Sequence, residues 1–216
     1  MALNLNTRRG LMLVVSSPSG AGKTSLTRKL QEEDDNIELS ISVTTRDRRP
    51  EEKDGLHYHF INKKSFHEML ENDKLLEHAN VFGNFYATRK NQVIESIENG
   101  KDVLFDIDWQ GASQLRKSMA SDVVSVFILP PSATELMSRL VKRGQDSFDV
   151  IKKRIDGAYD EIKHWKEYDY IIINDNLDDA YKELNSILVA ERCRIGRSND
   201  NQLYVKQLSN DLKKRL

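Results

Sequence analysis

The sequence predicts an α/β fold of three layers: a central parallel sheet, with one small mostly β lobe and one helical lobe inserted into it. Three observations carry this. Short, continuous apolar runs rich in β-branched residues recur along the chain, at 11–15, 103–107, 123–129 and 170–173. Helical patterns lie between them. A glycine-rich turn joins the first run to the first helix. Runs of that length and composition suit strands buried on both faces, and strands alternating with helices imply right-handed crossovers between parallel strands.

The first helix is expected over Thr24–Gln31, with Leu26 and Leu30 one turn apart. Ser65-Phe-His-Glu68 reads as a capping box, so a helix should begin there. Ser132-Ala-Thr-Glu135, after Pro130-Pro131, is a second one, and its helix should stop near Gly144. Asn176–Arg192 reads as a long amphipathic helix. Two segments interrupt the alternation. In Ser40–Arg89 the apolar residues Leu39, Ile41 and Val43 alternate with Ser40, Ser42 and Thr44, followed by a turn at Asp54-Gly55 and a strand-like Tyr58–Ile61. Pro131–Lys166 is helical and arginine-rich. The division expected is therefore a core of residues 1–41, 90–130 and 167–216, a β lobe at 42–89 and a helical lobe at 131–166. Two such lobes on one core are suited to closing over a substrate.

Composition narrows the function. Across 216 residues, 33 Lys and Arg balance 34 Asp and Glu, for a formal charge of -1. A general nucleic-acid binder would be basic. The cations are instead gathered locally, at Arg46, Arg48 and Arg49 and at Arg139, Lys142 and Arg143, as suits a small anionic ligand. Cys193 is the single cysteine, so no intramolecular disulfide can form and a reducing compartment is expected. The apolar run after Arg8 and Arg9 is too short for a signal core, and no run reaches the length of a membrane span. The chain is expected to be cytoplasmic and soluble, with neither nucleic acid nor membrane as partner.

The segment Ser17-Pro18-Ser19-Gly20-Ala21-Gly22-Lys23-Thr24, between a strand and a helix, has the context of a phosphate-binding P-loop. Gly20 and Gly22 let backbone N–H groups converge on phosphate oxygens, and the helix N-terminus adds partial positive charge. Lys23 can reach β- and γ-phosphates, and the Thr24 hydroxyl can bind Mg²⁺. Ser17 stands where the usual pattern has its first glycine, which requires ordinary backbone angles there. Asp106 closes an apolar run, as a carboxylate orienting Mg²⁺ through water would; capping a neighbouring turn is the alternative.

A second anion pocket is legible downstream. Arg46 and Arg49 lie three residues apart, with Tyr58 beyond the turn; arginines hold phosphate bidentately and a phenol adds a donor, which suits a monophosphate. Glu77, Asp106 and Asp108 supply carboxylates, and Ser42 and Thr88 hydroxyls. Guanine offers adjacent N1–H and N2–H₂ donors and an O6 acceptor, so two carboxylates and two hydroxyls complement it. Adenine would leave those carboxylates unpaired.

The segments SPSGAGKT, SVTTRDRRP, GLHYHF, GNFYAT, DIDWQG, RLVKRG and IIINDNLD, with Glu77, resemble the guanylate kinase family over about residues 10–192. The resemblance implies a P-loop kinase fold, with the β lobe binding GMP and the helical lobe acting as a lid. It implies ATP and GMP as substrates and Mg²⁺ with ATP. ATP would be held by residues 17–25, Ser25 included, and by Asn174. The GMP phosphate would be held by Arg46, Arg49, Tyr58 and Tyr86. Its base would be read by Ser42, Glu77, Thr88 and Asp108, with Thr88 standing where a serine is common. Arg139, Arg143 and Arg154 would meet the transferring phosphoryl, with Lys23 and Arg46 as further catalytic cations. Two other readings stay open: a non-catalytic interaction module of the same fold, and a kinase for another nucleoside monophosphate. Apolar positions in the C-terminal helix and the tail after Gly196 could support a homo-oligomer.

Overall fold

A computed structural model describes residues 8–81, 83–142 and 148–215. Its main sheet has five parallel strands: β1 (Met12–Ser16), β2 (Ile37–Leu39), β7 (Asp102–Asp106), β8 (Val123–Leu129) and β9 (Tyr170–Ile173), in the order β2-β7-β1-β8-β9. The period of two along β1 builds the three layers. Leu13 and Val15 point to one side, where Leu26 and Leu30 of α1 (Lys23–Glu33) and Leu184 and Leu188 of α7 (Leu177–Arg192) cover them. Met12 and Val14 point to the other, against Val93 and Ile97 of α3 (Lys90–Glu98) and Ala112 and Leu115 of α4 (Trp109–Met119). Each fully buried Leu, Val or Ile contributes about 1.5–3 kcal/mol, which is why a continuous apolar run is the strand code here. The four predicted runs match β1, β7, β8 and β9 to within one residue.

The second sheet is made only of residues between 43 and 89: β3 (Val43–Thr44), β4 (His59–Phe60), β5 (Leu75–Val81) and β6 (Asn84–Arg89), in the order β4-β3-β6-β5. Its apolar side holds Val43, Phe66, Leu75 and Ala87, with Phe66 and Phe85 stacked at 4.7 Å. The alternating run 39–44 proves to be two strands rather than one. Leu39 ends β2 at the edge of the main sheet, and Val43 begins β3 in the other, so residues 40–42 cross between sheets. Both Val43 and Thr44 are buried, which the simple alternation did not foresee. The helix α2 (Lys63–Glu71) starts before the expected capping box, because Asn62 caps it by accepting the Ser65 N–H at 2.8 Å.

Between β8 and β9 stand α5 (Ala133–Lys142) and α6 (Phe148–Ile162). Ser132 Oγ caps α5 by accepting the Glu135 N–H at 3.1 Å, as the sequence indicates. The expected stop near Gly144 lies outside the described residues. A final helix, α8 (Asn199–Lys213), leaves Leu203, Val205, Leu208 and Leu212 exposed. Among the described residues no helix is long and apolar enough to cross a membrane.

At the base of the core, the side chain of Asp102 is wholly buried. It takes two hydrogen bonds from Arg8 at 2.6 and 2.7 Å, one from Arg192 at 2.7 Å and one from the Leu11 N–H at 2.9 Å. Four donors are what makes an ionised carboxylate tolerable there. Through Arg192, which also pairs with Asp34 at 2.6 Å, the network ties α7 to β7 and α1.

Candidate active site

In a parallel sheet of this kind, ligands bind beyond the carboxyl ends of the strands. The carboxyl ends of β1, β7 and β9 here carry the P-loop, Asp106 and Asn174 respectively. The loop turns through Gly20 (φ 92) and Gly22 (φ 93), both left-handed. A Cβ on Gly22 would lie 2.2 Å from Asn174 Nδ2, so glycine is required twice over there, by angle and by space. Ser17 is not among the left-handed residues; Asp73 is the one described non-glycine residue that is. A serine in place of the usual first glycine therefore costs the loop no strain.

Lys23 opens α1 and reaches back across the strand ends. It ion-pairs with Asp106 and lies 3.5 Å from the Ile107 carbonyl. Thr24 and Ser25 are exposed at the helix N-terminus. Asn174 is buried; its Nδ2 donates to the Ala21 carbonyl at 2.8 Å, and its own carbonyl accepts from Arg139 Nη1 at 3.1 Å. Arg139, held on α5 by Glu135 at 2.8 Å, thus sits at the rim of the loop. A cleft lined by Gly22, Ser25, Arg139, Lys142, Asn174 and Leu177 opens beside it. Arg154 is carried by α6. Arg143 lies outside the described residues.

The second sheet gathers the other pocket. Thr44 of β3 pairs with Tyr86 of β6, and Tyr86 meets Tyr58 edge-to-face at 5.8 Å. The Arg46 guanidinium lies 5.6 Å from the Tyr58 ring centre, a cation–π contact. Burial raises the Tyr58 phenol above its ordinary value, so it stays a proton donor near neutrality. Glu52, which the sequence did not single out, organises this pocket. It takes two bonds from Arg46, at 2.7 and 3.1 Å, and one from the Arg49 N–H at 2.8 Å. The Arg46 guanidinium and the Arg49 N–H hold its carboxyl down to about 2, and it in turn raises Arg46.

Glu77 and Thr88 stand opposite each other on β5 and β6, and the Thr88 hydroxyl donates to Glu77 Oε1 at 2.8 Å. Both are buried. Burial lifts the Glu77 carboxyl to about 7, with the charge of Asp108 pushing the same way and the Thr88 bond pulling against it. Glu77 Oε2 faces the first turn of α4: a Cβ on Gly111 would come within 3.3 Å. Asp108 caps that helix by accepting the Gly111 N–H at 2.9 Å, so the turn-capping role weighed for a carboxylate here is filled by Asp108 rather than Asp106. Gln114 locks α4 to β5, exchanging two bonds of 3.0 Å with the backbone of His78. The carboxylates of separate elements are thereby fixed side by side.

The two pockets share a wall. Asp106, paired with Lys23 of the P-loop, also lines the cleft that holds Ser42 and Tyr58. Next to this cleft, His57 accepts the Lys53 N–H at 3.0 Å through Nδ1. Trp109 is stacked on His164 at 3.6 Å, joining the start of α4 to the turn after α6. Glu161 of α6 was not foreseen: its Oε2 accepts the Ser19 N–H of the P-loop at 3.1 Å.

Comparison with known proteins identifies the family. Residues 9–191 match the family model described as guanylate kinase. A guanylate kinase of Agrobacterium fabrum is 54% identical over 201 residues, covering 93% of this chain and 91% of that one. One of Nitrobacter hamburgensis is 53% identical over 205 residues, covering 95% and 94%. The crystal structure of guanylate kinase from Anaplasma phagocytophilum superposes with a TM-score of 0.74 at 35% identity, covering 93% of this chain and 96% of the other. By sequence over most of its length and by fold, the chain belongs to the guanylate kinase family.

Proposed function

We propose that the two pockets hold the reacting pair of a guanylate kinase: the triphosphate of ATP on the P-loop, and the monophosphate of GMP on Arg46, Arg49, Tyr58 and Tyr86. The observation that carries this is the shared wall. Asp106 touches the P-loop lysine on one side and lines the Ser42–Tyr58 cleft on the other, so the phosphates of both ligands meet at the same strand end.

The chemistry then asks little of covalent catalysis. A GMP phosphate oxygen is largely anionic near neutrality, since the second pKa of a phosphomonoester is about 6, and needs no base to remove a proton. What the transfer needs is in-line positioning and neutral surroundings for the moving charge. Lys23 is paired with Asp106 and is near enough to exchange that partner for phosphate oxygens. Arg139, anchored by Glu135 and the Asn174 carbonyl, stands at the rim, and Arg154 is carried by α6. Residues 131–166 are the lid that closes over the donor and keeps water out, 42–89 the lobe that brings GMP, and the remainder the core. The exposed Thr24 hydroxyl and the Asp106 carboxylate are hard oxygen donors, and so fit Mg²⁺. Once bound there, Mg²⁺ would neutralise charge on the β- and γ-phosphoryl oxygens.

Guanine is read by Glu77 and Asp108, with Ser42 and Thr88. The Thr88 hydroxyl already donates to one Glu77 oxygen, which leaves the other for the base. The cytoplasm is the expected setting, with ATP and GMP as partners. The Lys23→Ala variant tests the division of labour. It should lose turnover by a large factor, while GMP binding by calorimetry stays within about twofold. Near-normal turnover would overturn the role given to the P-loop, and loss of GMP binding would show that the pockets are not separate.

A further inference from the structure

The P-loop has a partner on α6. Its Ser19 N–H, a backbone donor of the glycine-rich turn, is taken by Glu161 of α6, 3.1 Å away and 142 positions along the chain. One N–H cannot serve a carboxylate and a phosphate oxygen at full strength together, because both anions need the same line of approach. The carboxylate is partly buried and held in place by more than this bond. Lys23 attracts it, whereas Asp108, on the other wall, repels it. Arg154 sits seven residues before Glu161, two turns of α6, so the two share a face of the helix.

We propose that Glu161 is an internal competitor for the P-loop, a carboxylate that latches α6 to the loop and that the triphosphate of ATP must displace. This deepens the reading of the loop as the triphosphate site and rests on it. In the latched state the face of α6 bearing Arg154 is drawn toward a loop that already has an anion. When the triphosphate takes Ser19, Glu161 is expelled by like charge, and the same face of α6 offers Arg154 to an anion in its place. The latch lowers the apparent affinity for any ligand that needs Ser19 by the fraction of molecules in which Ser19 is free. It acts on the phosphates alone, since Ser19 belongs to the loop and not to the cleft beside Asn174.

Titration calorimetry on the full chain with Mg²⁺ tests this with three probes: ATP, inorganic tripolyphosphate and adenosine. Glu161→Gln keeps the volume and removes the charge; Glu161→Ala removes both. Urea midpoints check that each folds. Both variants should bind ATP and tripolyphosphate tighter than the wild type, by about threefold to tenfold, the range for one net hydrogen bond. Adenosine should bind unchanged. Equal or weaker tripolyphosphate binding in both variants overturns the latch, and so does an equal gain for adenosine, which would place the effect in the base cleft. If the wild type binds neither ATP nor tripolyphosphate, the P-loop reading itself falls first.

Discussion

Glu77→Gln should make the protein more stable and a worse enzyme, and the size of both effects follows from where the carboxylate sits. Glu77 is 6% exposed, and its pKa moves from the ordinary 4.5 to about 7. Between those values the folded chain holds a proton that the unfolded chain releases. Stability from this group is therefore full below 4.5 and is lost as pH rises through 7. At about 1.4 kcal/mol per tenfold, the ionised carboxylate costs the fold about 3 kcal/mol well above pH 7. A glutamine can still accept the Thr88 hydroxyl bond and never titrates. Urea unfolding of both proteins from pH 5 to 8.5 should show midpoints whose difference grows with pH. With a slope of about 2 kcal/mol per molar, the variant gains about 1.2 M at pH 8 relative to pH 5. In the assay, the same change removes charge-assisted bonds to guanine of about 1.5–3 kcal/mol, raising the KM for GMP roughly tenfold to a hundredfold. A stability difference that stays flat across the pH range would refute the buried carboxylate as the origin. An unchanged KM for GMP would refute its role as base reader.

Two further predictions concern the scaffold. Gly22→Ala forces a left-handed side chain onto Asn174, so the KM for ATP should rise more than tenfold, whereas Ser17→Gly should leave it within twofold and cost about 0.4–1 kcal/mol through chain entropy alone. Asp102→Ala strips the partner from Arg8 and half the pairing from Arg192; the urea midpoint should fall by the equivalent of about 3–5 kcal/mol, with turnover per folded molecule unchanged, and a loss below about 1 kcal/mol would show the network to be ornamental.

Sequence legibility followed burial. Strands β1, β7 and β8 lie inside the sheet, so their apolar runs are continuous and announce them; β9 is an edge strand that buries only Ile172, and it was readable because Tyr170–Ile173 is apolar throughout even though Ile171 and Ile173 are exposed. Strand β2 is at the edge: Ile37 is buried while Glu38 and Leu39 are exposed, and a single inward side chain in three residues carries no period. The helices α3 and α4 bury Val93 and Ile97, and Ala112 and Leu115, and neither has the capping box or the glycine-rich loop that announces α1, α2 and α5. The helix α8 buries none of its described side chains, which removes the signal altogether.

In the site, local motifs were readable and tertiary ones were not. Gly20-Ala-Gly-Lys-Thr states its own geometry, because glycine positions encode φ. Glu77 and Thr88 could be named as candidates, but their pairing is set by the register of β5 against β6. Glu52 is a mere six residues from Arg46, yet nothing in RRPEEK distinguishes it from Glu51; the fold of that turn selects it. Glu161 is one carboxylate on a charged helix, and only the packing of α6 over the P-loop gives it a partner.

The most direct test of the two-pocket account is a coupled ADP-release assay with ATP and Mg²⁺, offering AMP, GMP, CMP, UMP and dTMP in turn. The proposed reading of guanine by carboxylates predicts GDP formation with GMP and a kcat/KM for AMP lower by about 10⁴. Comparable rates with AMP and GMP, or ADP release that ignores the acceptor, would contradict the account.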